Sequence, residues 1–139
     1  MNVYVDSSVV LRVILGEPQR LRSWTRITHA MSSELIRLET LRTIDRARVT
    51  LGLGDHEVAL RRAAALETLD GLSLVPVTTT VLERAAEPFP TLIGSLDAIH
   101  LATALLVRPR FDQLAFATHD LQLGLAARSV GFAVEGVPV

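Results

Sequence analysis

An α/β domain with a largely parallel sheet is the fold class this sequence predicts. Strand and helix signals alternate along the whole chain, as they do when helices carry the connection between parallel strands. The 139 residues are 49% hydrophobic and 21% charged, with a mean hydropathy of +0.35, enough for a packed core and against disorder. That length suits a single domain spanning residues 1–139. No apolar run approaches the roughly 18 residues of a membrane span. Met1 to Asp6 lacks a basic start, so the expectation is a soluble cytoplasmic domain without a secretory signal.

Asn2 to Val5 is a short β-rich run, halted by Asp6-Ser7-Ser8, whose serines are able to cap a helix over Val9 to Leu15. Gly16 and Pro18 end that helix, and residues 19–27 carry a weaker helical pattern. His29 to Ser32 reads as a strand, after which Ser33 caps a helix running to about Val49. Asp55 opens another helix, Ala-rich to Leu69, and Leu72 to Val77 forms the next strand. Thr78-Thr79-Thr80 leads into a short helix, Val81 to Ala86, ended by Pro88. Ser95 caps the most apolar helix, Leu96 to Val107, which stops before Pro109. Leu114 to Ala117, Asp120 to Arg128 and Phe132 to Val134 complete the alternation as strand, helix and strand.

Two absences restrict the chemistry. Without Cys there are no disulfides, thiol nucleophiles or zinc fingers, and all 14 basic residues are Arg. A Schiff base or a Walker-A lysine is therefore excluded. The net charge of −1 is unevenly placed, +3 over residues 1–62 and −4 over residues 63–139. An Arg-rich first half suits phosphate contact, although a GC-rich genome yields the same Arg usage. Arg12, Arg42 and Arg46 are the candidates for such contact.

Four acids fall in unusual places. Asp6 and Asp120 each close a strand and precede a helix, where parallel sheets collect functional groups and where a plain N-cap also sits. Glu39 projects between Leu35 and Ile36, beside the apolar face of its helix, where a carboxylate needs a partner; Arg42 is one candidate. Glu34 falls off that stripe and is expected to face water. Asp97 lies in the first turn of the apolar helix, stabilised by the helix dipole. His100 follows one turn on and is read as a hydrogen-bonding neighbour of the site, not a metal ligand. Thr118 is a supporting hydroxyl, and His119 reads as a solvated loop residue. Should these carboxylates converge, they would repel one another unless a divalent cation sat among them. An all-oxygen set favours Mg²⁺ or Mn²⁺, and such an ion suits phosphodiester hydrolysis.

Val3-Tyr4-Val5-Asp6-Ser7-Ser8, Ser33 to Glu39, Leu96-Asp97-Ala98-Ile99-His100-Leu101-Ala102-Thr103-Ala104 and Thr118-His119-Asp120 follow one another along the chain. Together with the closing Gly131-Phe132-Ala133-Val134, they resemble the successive motifs of a PIN domain, and more narrowly a VapC-type toxin ribonuclease. The resemblance implies a three-layer α/β/α domain with a mainly parallel five-stranded sheet and a pocket binding Mg²⁺ or Mn²⁺. It places Asp6, Glu39, Asp97 and Asp120 at the family's four acidic positions, with Ser7 and Thr118 as supporting hydroxyls. It further implies an RNA substrate, a VapB-type antitoxin partner and a homodimer. His119, where an aromatic is frequent, and Pro88-Phe89-Pro90 depart from the pattern without removing an acid. Leu51, Leu53 and Val58 are candidates for surface buried against another chain, with ordinary core packing as the other reading. Two alternatives are a non-catalytic PIN-like module binding RNA or protein, and an aspartyl-phosphate enzyme. The second expects a second acid beside Asp6 and an opposing Lys, and the chain offers neither.

Overall fold

A computed structural model describes residues 1–18 and 21–139. Its strands are β1 (Asn2–Val5), β2 (His29–Ser33), β3 (Ser73–Val75), β4 (Ala115–Ala117) and β5 (Val134–Glu135). They form one sheet in the order β3-β2-β1-β4-β5, with every pairing parallel. The helices are α1 (Ser7–Ile14), α2 (Leu35–Thr50), α3 (Asp55–Asp70), α4 (Thr79–Ala86), α5 (Ser95–Val107) and α6 (Leu121–Ser129). Each expected strand and helix is present within a few residues, apart from the weak helix over 19–27. Residues 19 and 20 lie outside the described residues, and Arg22–Arg26 forms a 3-10 turn instead.

The period of two along β1 separates the layers. Val3 and Val5 join Val9, Val10 and Ile14 of α1, Ile36 and Ile44 of α2 and Ala65 and Leu69 of α3 in one core. Tyr4 faces the other way, packing with Met31, Phe116, Leu101 and Ala104 of α5 and Leu123 and Ala126 of α6. The result is the expected α/β/α sandwich, with α4 lying against α5. Leu53 packs on the first core and Val58 is buried within it, so of the three surface candidates only Leu51 is exposed. Among the described residues no helix is long and apolar enough to cross a membrane.

Helix caps differ from the hydroxyl-based expectation. Asp6, not a serine, is the N-cap of α1, and its side chain accepts from Ser8 N–H. Ser95 is the first residue of α5 and Gly94 its cap, without a side-chain bond. Asp120 caps α6 and accepts from Leu123 N–H at 3.0 Å. Glu34 is exposed yet engaged, its carboxylate accepting from Val77 N–H at 2.8 Å.

Sheet polarity fixes where function sits. With all strands parallel, the loops after β1, β2 and β4 emerge on one edge, and the N-termini of α1, α2 and α6 follow them there. The edge is braced from β5: Thr118 N–H donates to Glu135 O at 3.0 Å, and Gly136 adopts φ +102 directly over Thr118. A Cβ at Gly136 would collide with the Thr118 carbonyl oxygen, a backbone atom with little room to give. Gly136→Ala is therefore expected to cost about 2 kcal/mol of stability, read as a lower urea midpoint with an unchanged m-value.

Candidate active site

Asp6 is the anchor of the edge. It is 4% exposed, and three hydrogen bonds offset its burial: Ser8 N–H at 3.1 Å and Ser8 Oγ at 2.6 Å to Oδ1, and Thr118 Oγ1 at 2.8 Å to Oδ2. Burial raises its proton affinity, while Ser8, the nearby His100 and Thr118 pull it back down. The hydroxyl that reaches Asp6 is thus Ser8's and not that of Ser7. The second residue of the first helical turn folds back over the cap, whereas Ser7 starts the turn. Ser8 Oγ also accepts from His119 N–H at 2.8 Å.

Thr118 stands where expected and does more than support. Fully buried, its Oγ1 donates to Asp6 and accepts from Asp120 N–H at 3.0 Å, so one hydroxyl joins the exits of β1 and β4. His119 is not the solvated loop residue expected, since its Nδ1–H donates to Gly136 O at 3.2 Å.

Glu39 lies on the inner side of α2, its side chain 16% exposed. Its partner is not Arg42, which pairs with Asp45 at 3.7 Å on the exposed flank of the helix. Instead Glu39 Oε1 lies 2.5 Å from His100 Nε2, and His100 Nδ1 is 2.7 Å from the Tyr4 hydroxyl. The phenol also accepts from Ser33 N–H at 3.0 Å. Burial raises the phenol's proton affinity far above the ordinary range, so Tyr4 remains protonated. The reading of His100 as a hydrogen-bonding neighbour agrees with this geometry, whereas Tyr4 and Ser8 escaped sequence reasoning. A lone tyrosine in a core strand was a usable signal, because its hydroxyl needs a buried partner.

Asp97 lies in the electrostatic field of the other three acids. Its carboxyl is pushed up to about 6, first by burial, then by the negative charges of Asp120 and Asp6, with Glu39 adding to the rise and His100 opposing it. All four acids therefore share one electrostatic neighbourhood. Among the described residues no three Asp, Glu or His side chains close on a single point as metal ligands; like charge resists closer approach. The donors are oxygen-only and jointly negative, a chemistry that fits a hard divalent cation. Beside them a groove of about 340 Å³ is lined by Ser8, Arg12, Thr43, His119 and Asp120. A second groove continues past Arg12 and His119 to Arg22 and Gly136.

Comparison with known proteins agrees with this architecture. The PIN domain profile matches residues 3–120. Ribonuclease VapC47 of Mycobacterium tuberculosis (strain CDC 1551 / Oshkosh) is 32% identical over 132 residues, covering 94% of this chain and 93% of the relative. Ribonuclease VapC46 of Mycobacterium tuberculosis (strain ATCC 25618 / H37Rv) is 35% identical over 135 residues, covering 95% of each. Among solved structures, that of VapBC2 from Rickettsia felis, bound to a DNA fragment from its promoter, superposes with a TM-score of 0.68. Identity there is only 9%, over 97% of this chain and 98% of that one, so the likeness is one of fold. The chain belongs to the PIN domain family, among relatives of the VapC type.

Proposed function

We propose that this chain is a divalent-metal-dependent endoribonuclease that hydrolyses RNA phosphodiester bonds, the toxin of a VapB-paired system. The observation that carries the reading is Asp97, a half-buried carboxyl held near pH 6 with three other acids in its field. A carboxyl whose charge is disfavoured by burial and by neighbouring acids is one that a bound cation would stabilise. The ribonuclease names of two relatives that match nearly the whole chain support the substrate class.

Asp6 and Asp97 are the principal candidates to hold Mg²⁺ or Mn²⁺, with Glu39 and Asp120 completing the charge directly or through water. When bound, such an ion activates water towards phosphorus and stabilises charge on the departing oxygen. The protein's own residues prepare that chemistry. Ser8 and Thr118 fix both oxygens of Asp6, and Asp120 keeps Oδ1 on the α6 cap. Arg12, in the groove beside Asp120, is placed for a neighbouring phosphate, a better position than Arg42 on the outer flank of α2. Leu38 and Leu96, adjacent in sequence to Glu39 and Asp97, are 60% and 52% exposed. They offer an apolar rim on which a VapB-type antitoxin segment would lie. A homodimer belongs to the same reading, with Leu51 a candidate contact.

Wild-type protein with Mg²⁺ or Mn²⁺ is expected to cleave RNA, and EDTA to stop it. Asp6→Asn or Asp97→Asn should each lower the rate at least about 100-fold while leaving the circular dichroism spectrum unchanged. Full activity in both variants would overturn the assignment; calorimetric metal uptake without cleavage under any divalent ion would favour the binding module. Stability provides a separate check. Because the folded protein raises the Asp97 carboxyl from 3.8 to about 6, ionising it costs stability as pH rises through that window. In EDTA, Asp97→Asn should therefore melt a few degrees higher than wild type above about pH 6, and the gain should vanish below about pH 4.

A further inference from the structure

Tyr4 and His100 are buried polar residues to which the proposed reaction gives no task, with 0% and 1% exposure. Three hydrogen bonds run through them in series, from Ser33 N–H to Tyr4, from Tyr4 to His100 Nδ1, and from His100 Nε2 to Glu39 Oε1. The direction of the last follows from the available protons. At that end of the ring the Glu39 carboxylate can only accept, so His100 Nε2 carries the proton between them. A neutral ring takes the Tyr4 proton at Nδ1 and a protonated ring donates there instead, and in either case Nε2–H faces the carboxylate. The opposite tautomer would set two acceptors face to face at 2.5 Å.

We propose that Tyr4 and His100 are positioning residues for Glu39: Tyr4 holds the His100 ring at Nδ1, and the Nε2–H pins Oε1, leaving Oε2 as the oxygen offered to the cation. This inference rests on the metal-dependent nuclease reading. Asp6 at the exit of β1 has both oxygens held by Ser8 and Thr118, and for Glu39 on α2 the holding contact is His100 Nε2. Tyr4 lies in β1 and His100 on α5, so the chain of bonds registers all three elements against one another. Tyr4 itself is clamped by stacking on Phe116 at 5.3 Å. Outer hydrogen bonds that orient a ligand commonly govern metal affinity by 10–100-fold, more than a packing role accounts for.

The test uses the whole chain, with thermal melts establishing that each variant folds. Imidazole ¹⁵N NMR of wild type should show a proton on His100 Nε2. Calorimetry with Mn²⁺ alone should find Tyr4→Phe about 10-fold weaker than wild type, with RNA cleavage falling alongside. His100→Gln, whose amide nitrogen replaces Nε2, should stay near wild type. His100→Asn, whose amide reaches only the Nδ1 position, should lose about 10–100-fold. Wild-type Mn²⁺ affinity in both Tyr4→Phe and His100→Asn, or a wild-type His100 without a proton on Nε2, overturns the positioning role alone. No Mn²⁺ uptake by wild type overturns the nuclease reading, and this one with it.

Discussion

Burial of the Asp6 carboxylate at the exit of the central strand is the constraint to which the surrounding structure answers. A carboxylate with almost no contact with water has to be met by donors, and here they come from two separate parts of the chain. Ser8 supplies two from the first turn of α1, and Thr118 supplies one from beyond β4. Meeting that demand fixes the loop after β4, because the same Thr118 oxygen accepts from Asp120 N–H and thereby sets the start of α6. One side chain thus organises two strand exits and two helix starts.

The parallel sheet makes this economical. Its strands deliver their C-terminal ends to a single edge, so Asp6 and Asp120, far apart in sequence, are joined through the Thr118 hydroxyl without any long loop. The two cores, one on each face, leave the edge polar and the faces dry. Tyr4 shows how close the two requirements lie. Its ring belongs to the core between the sheet and α5, while its hydroxyl belongs to the network that ends on Glu39.

Much of this was legible in the residues. Alternating signals identified nearly every element, since β-rich runs and apolar helical stripes report burial, which tertiary packing only reinforces. Asp6 and Asp120 stood out because they close strands, and Glu39 and Asp97 because carboxylates are rare beside apolar helical neighbours. Details that depend on three dimensions were hidden. Ser7 and Ser8 are indistinguishable by type, and only the turn of α1 decides which hydroxyl reaches Asp6. Arg42 sits three residues from Glu39 and is a reasonable local partner, yet the real partner, His100, is 61 residues away. Local spacing favours the near candidate, and a buried site selects the one that excludes water.

The Asp6–Thr118 bond joins residues 112 positions apart. During synthesis, then, the first acid emerges long before the groups that hold it, and Asp97 and Asp120 follow only near the end. A ribosome-bound chain carrying β1 to α4 possesses half of the acidic set and neither of the hydroxyl bridges to β4. On the proposed nuclease reading, a nascent product that stops before Asp97 lacks half of the acids that would hold a cation, so cutting competence comes late in synthesis.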